Sequence, residues 1–151
     1  MAEIVEALYK HMQIYRDGDS YVVVLKLGEE LFESLTNFVK QNELKSAWFD
    51  GLGAAKEVEL GYYRLDDKQY SWKTFVGPLE ITGLHGNMVL KDGQPVFHAH
   101  GSFADGSYKV IGGHIKRLMV AGTCEILVSK LNLALTRKFD DEVGLELLET
   151  N

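Results

Sequence analysis

Two kinds of hydrophobic pattern divide the chain. In the stretch GEELFESLTNFVKQNEL, residues 28–44, apolar side chains recur at the helical spacing i, i+1, i+4, i+7, i+8: Leu31, Phe32, Leu35, Phe38 and Val39. This spacing puts them on one stripe and predicts an amphipathic helix. The β-branched run SYVVVLKL, residues 20–27, follows the turn-forming RDGDS and predicts a strand.

After the helix, apolar and polar residues alternate in short runs. The runs are SAWFDGL, KEVELGYYRL, QYSWKTF, LEITGLHGNMVL, PVFHAHGSF, SYKVIGGH and TCEILVSKL. Turn signals separate them at LDDK, VGP, KDGQ and ADGS, and the glycine-rich GLGAAKEV, residues 51–58, is also interpreted as a turn between strands. One main amphipathic helix and many antiparallel strands predict an α+β fold with a large, mostly antiparallel sheet. The C-terminal FDDEVGLELLE is compatible with a closing strand, a short helix or an oligomer contact.

The composition is that of an ordinary globular protein, with 46% hydrophobic and 25% charged residues in a chain of 151. No Pro/Ser-rich linker or repeat interrupts it, which predicts a single domain over residues 1–151. The one cysteine, Cys124, allows no intramolecular disulfide. No secretory signal is recognisable and no run approaches the ~20 apolar residues of a membrane span. We therefore expect a cytoplasmic protein with no membrane partner.

The charge is unevenly distributed. Sixteen Lys and Arg stand against 22 Asp and Glu, and the net charge of −6 disfavours nucleic acid as a partner without excluding it. Segment 105–138 departs from this balance, because it contains six basic residues and only two acidic ones, Asp105 and Glu125. Its local charge is +4. The six are Lys109, Lys116, Arg117, Lys130, Arg137 and Lys138. A solvated face is the commoner explanation of such a run, and contact with an anion is the alternative.

Three of the five histidines lie between residues 98 and 114. Because side chains alternate along a strand, PVFHAHGSF places His98 and His100 on one face and its aromatic residues on the other. Asp92-Gly93 is a strong two-residue hairpin signal. A hairpin at this point puts Asn87 opposite His98 and His85 opposite His100, on the same face.

The turn at ADGSY decides whether His114 joins this face. A three-residue loop, Asp105-Gly106-Ser107, pairs Ala104 with Tyr108 and puts His114 opposite His98. A two-residue turn instead puts His114 opposite Phe97, on the wrong face, because a one-residue slip exchanges the faces. The three-residue loop is favoured because it gathers the polar groups.

Three neutral imidazoles from neighbouring strands are typical of a catalytic-type metal site with one position left open. The predicted ligands are His98, His100 and His114, and the predicted cofactor is a divalent metal, zinc by preference. His85 and Asn87 are candidates for a fourth ligand or for a hydrogen-bonding partner of a ligand. The competing interpretation is that His-x-His occurs by chance on an exposed strand.

Other residues are interpreted structurally. Glu125, beside Cys124, is read as a solvent-facing glutamate rather than as a general base. Five aromatic residues could stack nucleic-acid bases, but without interleaved basic residues we interpret them as core and subunit-interface packing: Trp48, Tyr62, Tyr63, Tyr70 and Trp72.

Four stretches in order resemble the plants and prokaryotes conserved (PPC) domain in its stand-alone prokaryotic form. They are GEEL, KSAWFDGLGAAKEVELGYY, WKTFVGPLEITGLHGNMVLKDGQPVFHAHGSFAD, and VIGGHI with the following AGTCEILV. The resemblance runs from about Tyr15 to Leu131. It implies an α+β fold, a large antiparallel sheet with short helices flanking it besides the main one, and assembly as a homotrimer.

The resemblance also bears on function. In plants the domain accompanies an AT-hook, an Arg-Gly-Arg-Pro element that this sequence lacks, and it mediates association with partner proteins. Prokaryotic members carry the His-x-His and Gly-Gly-His elements matched here by His98, His100 and His114. The fold is similar to that of acetolactate decarboxylase, whose zinc is held by a His-x-His pair and a third histidine. The sequence does not show which positions correspond to that enzyme's catalytic glutamate and arginine, so the likeness does not establish a reaction.

Three functions follow, and whether the protein is an enzyme stays open. In the first, it binds a divalent metal through the three histidines and uses the open position for a small, anionic ligand. In the second, it is an oligomeric DNA-binding or protein-interaction module with structural histidines. In the third, it is a metal-dependent enzyme resembling a decarboxylase.

Overall fold

The structure, a computed structural model, describes residues 3–4 and 12–150. Within these residues it contains nine strands and one helix. They are β1 Glu3–Ile4, β2 Gln13–Asp17, β3 Ser20–Lys26, α1 Leu31–Gln41, β4 Ser46–Arg64, β5 Gln69–Lys91, β6 Gln94–Ala104, β7 Val110–Lys130, β8 Leu135–Asp140 and β9 Leu145–Thr150. Helix α1, the one helix of residues 3–4 and 12–150, is neither long enough nor apolar enough to cross a membrane.

Seven strands form one sheet in the order β1-β2-β3-β7-β4-β5-β6, and every pairing is antiparallel. Because β6 also pairs with β7, the strands β4, β5, β6 and β7 are paired in a closed ring. The predicted α+β class is confirmed. The short flanking helices are not found in residues 12–150, where the C-terminal segment forms the separate β8–β9 hairpin instead.

Helix α1 begins and ends close to the predicted bounds. The Glu30 side chain accepts a hydrogen bond from the Glu33 N–H at 2.7 Å, which caps the first turn. The predicted apolar stripe is buried, except that Phe32 is only partly so. The Phe38 ring packs against Tyr21 at 5.2 Å between centroids, and Phe32 packs against Phe97 at 5.4 Å. The helix therefore covers the apolar face of the sheet.

Strands β4, β5 and β7 are longer than predicted, and each joins runs that the sequence presents as separate. GLGAAKEV is not a turn, which corrects the prediction, because it continues β4 through two β-bulges, at Gly51/Gly53 and Ala55/Glu57. Gly53 has φ +145°, and a Cβ there would collide with the carbonyl oxygen of Thr123. A bulge bends a strand without reversing it, so glycines that look like a turn instead mark a bend.

The five aromatic residues do not pack in the core, which corrects that part of the prediction. Trp48, Tyr62 and Trp72 are 45%, 73% and 41% exposed, respectively. The core instead contains inward-facing residues of β3 to β7 together with α1, and the largest include Phe38, Phe49, Phe103, Leu84 and Met88. Packing of the aromatic residues at a subunit interface stays a prediction.

Candidate metal centre

The hairpin between β5 and β6 has the predicted register. Asn87 lies opposite His98 and His85 lies opposite His100. The neighbouring Ala99 is 1% exposed and faces the core. His98 and His100 therefore share the outer face of the sheet, as alternation requires.

His114 lies opposite His100 rather than opposite His98, which corrects the predicted register. Ala104 pairs with Val110, not with Tyr108, so the pairing is displaced by two residues. A displacement of two keeps the side chain on the same face, because the side-chain period of a strand is two. The alternative two-residue turn is also wrong, and His114 does join the other two histidines.

The loop itself explains the displacement. The Asp105 N–H donates to the Lys109 carbonyl at 3.0 Å, so these two residues extend the ladder and the loop is Gly106-Ser107-Tyr108. The Asp105 carboxylate accepts hydrogen bonds from the backbone N–H groups of Ser107 at 2.8 Å and Lys109 at 3.1 Å. Tyr108, rather than a glycine, takes the left-handed conformation with φ 64°. The predicted loop thus has the right length and lies one residue too early.

The three imidazoles converge. Their ring centroids lie 5.1 Å (His98 and His100), 5.3 Å (His98 and His114) and 5.5 Å (His100 and His114) apart, and one ligand atom from each lies within 4.8 Å of the others. The Nε2 atoms of His98 and His100 are 3.2 Å apart. Tetrahedral zinc with bonds of about 2.0–2.1 Å separates its nitrogen ligands by about 3.3 Å. The first pair already has this spacing. We call these residues the three-histidine cluster.

The surroundings keep the cluster neutral. Burial lowers the pKa of His98 and that of His100, assisted by the positive charge of Arg137 for the former and by His85 for the latter. Burial, followed by His98, His100 and Arg137, lowers the pKa of His114 to about 4. Neutral imidazole is the form that binds metal. The buried Nδ1 of His114 has no hydrogen-bond partner in the described part of the chain. A ring nitrogen without a partner is compatible with metal binding at this position.

The structure separates the other candidates from the cluster. His85 is exposed and lies outside the group of converging ligand atoms. Asn87 is buried, and its Oδ1 accepts a hydrogen bond from Arg137 Nη2 at 2.6 Å. Their roles as fourth ligand or as supporting partner stay predictions. Cys124 is buried on the opposite face, where burial raises the pKa of its thiol to about 12, and Glu125 is exposed.

An aromatic wall adjoins His114. Its ring lies 5.1 Å from that of Tyr70 and 6.0 Å from that of Trp72, and Tyr70 stacks on Trp72 at 4.6 Å. Burial raises the pKa of the Tyr70 hydroxyl. Sequence reasoning missed this wall as part of the site, although the alternation of Tyr70 and Trp72 along one strand indicates that they share a face.

A cavity of about 440 Å³, here called the hairpin cavity, opens beside the cluster. The β8–β9 hairpin forms one side of it and the outer face of the sheet forms the other. Its lining residues are Tyr70, Asn87, Val96, Phe97, His98, His114, Arg137, Leu145, Glu146, Leu147 and Leu148. In the sequence, Arg137 stands out only as one of six basic residues of segment 105–138. No pattern in the sequence indicates that the β8–β9 hairpin packs against the sheet and brings Arg137 to the cavity.

These features define a class of protein, an α+β fold whose antiparallel sheet carries a three-histidine cluster beside a small cavity. The chain belongs to the family of the Plants and Prokaryotes Conserved (PCC) domain, the family abbreviated PPC above, whose model matches residues 12–132. The expected membership is confirmed. No protein among the curated ones is similar enough to the chain to count as a match.

Several solved structures are similar. A "putative DNA binding protein" from Bacteroides thetaiotaomicron is 25% identical, with 93% of this chain and 99% of that chain covered and a TM-score of 0.89. A metal-containing protein from Archaeoglobus fulgidus is 31% identical, with coverages of 92% and 98% and a TM-score of 0.80. A Staphylococcus aureus protein described as similar to alpha-acetolactate decarboxylase is 12% identical, with coverages of 85% and 72% and a TM-score of 0.54. The last likeness confirms the predicted similarity of fold and nothing more.

Proposed function

We propose that this protein binds a divalent metal, zinc by preference, through His98, His100 and His114, and presents an open metal position to a small ligand in the hairpin cavity. The observation that carries the proposal is the convergence of three ligand atoms within 4.8 Å on one face of the sheet. Three imidazoles without a fourth protein ligand are the donor set of catalytic rather than structural zinc. The metal-containing relative from Archaeoglobus fulgidus supports the proposal.

The chain's own residues would divide the work at this site. The three histidines hold the ion, and the aromatic wall of Tyr70 and Trp72 restricts the movement of the His114 ring. The hairpin cavity, at about 440 Å³, falls in the 300–1,000 Å³ range of small-molecule sites. When bound, a divalent ion supplies a Lewis acid that polarises a ligand oxygen.

The deciding experiment is elemental analysis of protein purified without a histidine tag. The protein is stripped with a chelator, reloaded with zinc and desalted, and wild type is compared with a His98→Ala/His100→Ala variant. We expect about one zinc per chain in the wild type and almost none in the variant. A wild type that takes up no zinc would contradict the proposal. Circular dichroism of both proteins shows whether the variant has kept its fold.

Self-association as a homotrimer is part of the proposal. Exposed apolar residues follow one another across the outer face of the sheet, where Tyr15 pairs with Val22 and Val22 pairs with Leu127. These three side chains are 36%, 41% and 49% exposed. On β4, Trp48 and Leu52 are exposed as well, and the exposed Asp50 lies between them, opposite Leu127. Contiguous exposed apolar surface is typical of a protein interface. We call this surface the apolar row. The proposed location is cytoplasmic, which the single buried cysteine suits.

Two alternative functions have separate tests. The Bacteroides relative's name favours DNA binding, and a DNA affinity that falls steeply with salt would support that function. The net charge of −6 argues against it. A decarboxylase-like activity would appear as turnover of a β-keto acid by the zinc-loaded protein, abolished by His100→Ala.

A further inference from the structure

Arg137 differs from the other basic residues of segment 105–138. Lys116 and Arg117 form ion pairs with Glu59 and Glu57 at 2.8 and 2.9 Å, and Lys130 and Lys138 approach Asp19 and Glu149 at 3.8 Å. These four and the remaining one, Lys109, lie outside the lining of the hairpin cavity. Arg137 lines that cavity, and no carboxylate oxygen in residues 12–150 comes within 4.0 Å of its guanidinium.

The guanidinium is held in place by neutral groups. Its Nη2 donates to Asn87 Oδ1 at 2.6 Å and its Nη1 donates to the Glu146 carbonyl at 3.0 Å. Its Nε is buried and has no partner in the described residues. An arginine has five N–H donors in a planar fork, so several remain for a ligand. Because the Nε is closed to solvent, the free N–H groups of Nη1 and Nη2 are the donors that a ligand in the cavity would use.

The charges around the cavity favour an anion. Glu146 is the one acidic residue of the lining, and its carboxylate contacts Lys91, which neutralises it. The neutral histidines and Tyr70 add no charge, so Arg137, Glu146 and the Lys91 paired with Glu146 together give the surroundings of the cavity a charge of +1. A metal on the three-histidine cluster would add two further positive charges. The field of such a site attracts small anions and opposes cations.

The hairpin that carries Arg137 is docked to the sheet, so its position is defined. Thr136 Oγ1 donates to the Leu90 carbonyl at 3.4 Å, and the Tyr63 hydroxyl donates to the Val143 carbonyl at 2.8 Å. The hairpin begins after residue 132, where the match to the family model ends. The side of the cavity that carries His98 and His114 therefore belongs to the family domain, whereas the side that carries Arg137 lies outside the matched segment.

We propose that Arg137 binds the anionic group, a carboxylate or a phosphate, of the small ligand that reaches the metal. The inference rests on the proposed function, and it deepens it by assigning the ligand class. The fork of Arg137 grips two oxygens of the anion, while a second oxygen-bearing group of the same ligand faces the three-histidine cluster. Arg137 acts as a binding residue for the ligand and not as a metal ligand.

The test is isothermal titration calorimetry of the zinc-loaded protein with three probes: pyruvate, inorganic phosphate and the neutral pyruvamide. Wild type is compared with Arg137→Gln, Arg137→Lys and the matched control Lys138→Gln, which removes one positive charge from the same strand. We expect wild type and Lys138→Gln to bind an anion and to bind pyruvamide at least tenfold more weakly. Arg137→Gln should lose at least tenfold in anion affinity, and Arg137→Lys should fall between. Which anion binds more tightly distinguishes the carboxylate from the phosphate.

Zinc content is measured on the same samples. We expect Arg137→Gln to retain about one zinc per chain, since Arg137 is not a ligand. Anion affinity that is unchanged in Arg137→Gln, or absent in wild type, overturns the inference even where zinc binds. A wild type without zinc overturns the proposed function separately, and anion binding that depends on Arg137 would still support the assignment of the arginine. Arg137→Lys preserves the charge, so it keeps the test valid where Arg137→Gln loosens the hairpin.

Discussion

His114 lies directly across the β6–β7 ladder from His100, and their ring centroids are 5.5 Å apart. The Asp105 carboxylate fixes this relationship, because its hydrogen bonds to the backbone of Ser107 and Lys109 hold the loop one residue further along than the sequence suggests. The register of the β6–β7 pairing thus depends on a loop of three residues. An even displacement preserves the cluster, whereas an odd one would bury His114 on the apolar face.

Single substitutions should separate the ligands from their neighbour His85. We expect His100→Ala to abolish stoichiometric zinc binding and His85→Ala to leave it unchanged, because His85 lies outside the converging ligand atoms. The measurement is zinc affinity by competition with a chromogenic chelator. His85→Ala is the matched control, since it removes an imidazole directly opposite His100. Zinc affinity reduced by 10- to 100-fold in His85→Ala would instead assign His85 a supporting role.

Gly86 should be sensitive to the smallest side chain. A Cβ at this position would lie closer than 3.0 Å to the carbonyl oxygen of His98 and to the Phe49 ring. We expect Gly86→Ala to lower the free energy of unfolding by about 1–3 kcal/mol and to weaken zinc binding, because the strand that carries His98 must move. Urea denaturation and zinc titration measure the two effects.

Gly106→Ala is the control for that prediction, because a Cβ there meets nothing within 4 Å. Its free energy of unfolding should change by less than about 0.5 kcal/mol. Equal effects of the two substitutions would show that the backbone of β6 is not packed as closely against Gly86 as the structure indicates.

The metal-free protein should lose stability between about pH 6.5 and pH 4. The pKa of His114 is about 4 in the folded chain against an ordinary 6.5, so the unfolded chain binds more protons in this window. The free energy of unfolding therefore falls as the pH falls through this window. The stabilising contribution of His114 is fully present above about pH 6.5. With allowance for solvent screening we expect a loss of about 1–2 kcal/mol from His114.

Urea denaturation in a chelator at pH 7.5, 5.5 and 4.5 measures this dependence. His114→Gln should show a smaller fall in the free energy of unfolding across the same range, because glutamine does not titrate. His98 and His100, whose pKa values are also lowered, contribute with the same sign and remain in the variant. A pH dependence identical in both proteins would contradict the assignment to His114.

A charge in the apolar row should disrupt assembly. We expect Leu127→Asp to shift the mass in solution from three times the 17.0 kDa chain mass to one, since a buried unpaired carboxylate at an interface is unfavourable. Light scattering after size-exclusion chromatography measures the mass. Tyr108→Asp, at an 89% exposed loop position, is the control and should remain a trimer. A monomeric wild type would refute the proposed trimer.

The local periodicities of the sequence were enough to predict several elements. The stripe through Leu35 and Phe38 predicted α1, and alternation around Ala99 put His98 and His100 on one face, because both features follow from the repeat of a single element. Asp92-Gly93 defined the β5–β6 register correctly, since a two-residue turn leaves no freedom in pairing.

The remaining features depend on contacts between distant parts of the chain or on the conformation of a single turn. The loop that aligns His114 depends on Asp105 bonding to backbone groups two and four residues away, a choice among turns that differ little in free energy. The bulge at Gly53 depends on the close approach of the Thr123 backbone, 70 residues later in the chain. Arg137 reaches the cavity because its hairpin packs on β5 through contacts such as its hydrogen bond to Asn87. Contacts between residues distant in sequence leave no periodic pattern in the sequence. The hydrophobic pattern therefore predicts the three-histidine cluster on the sheet but not the β8–β9 hairpin that faces it.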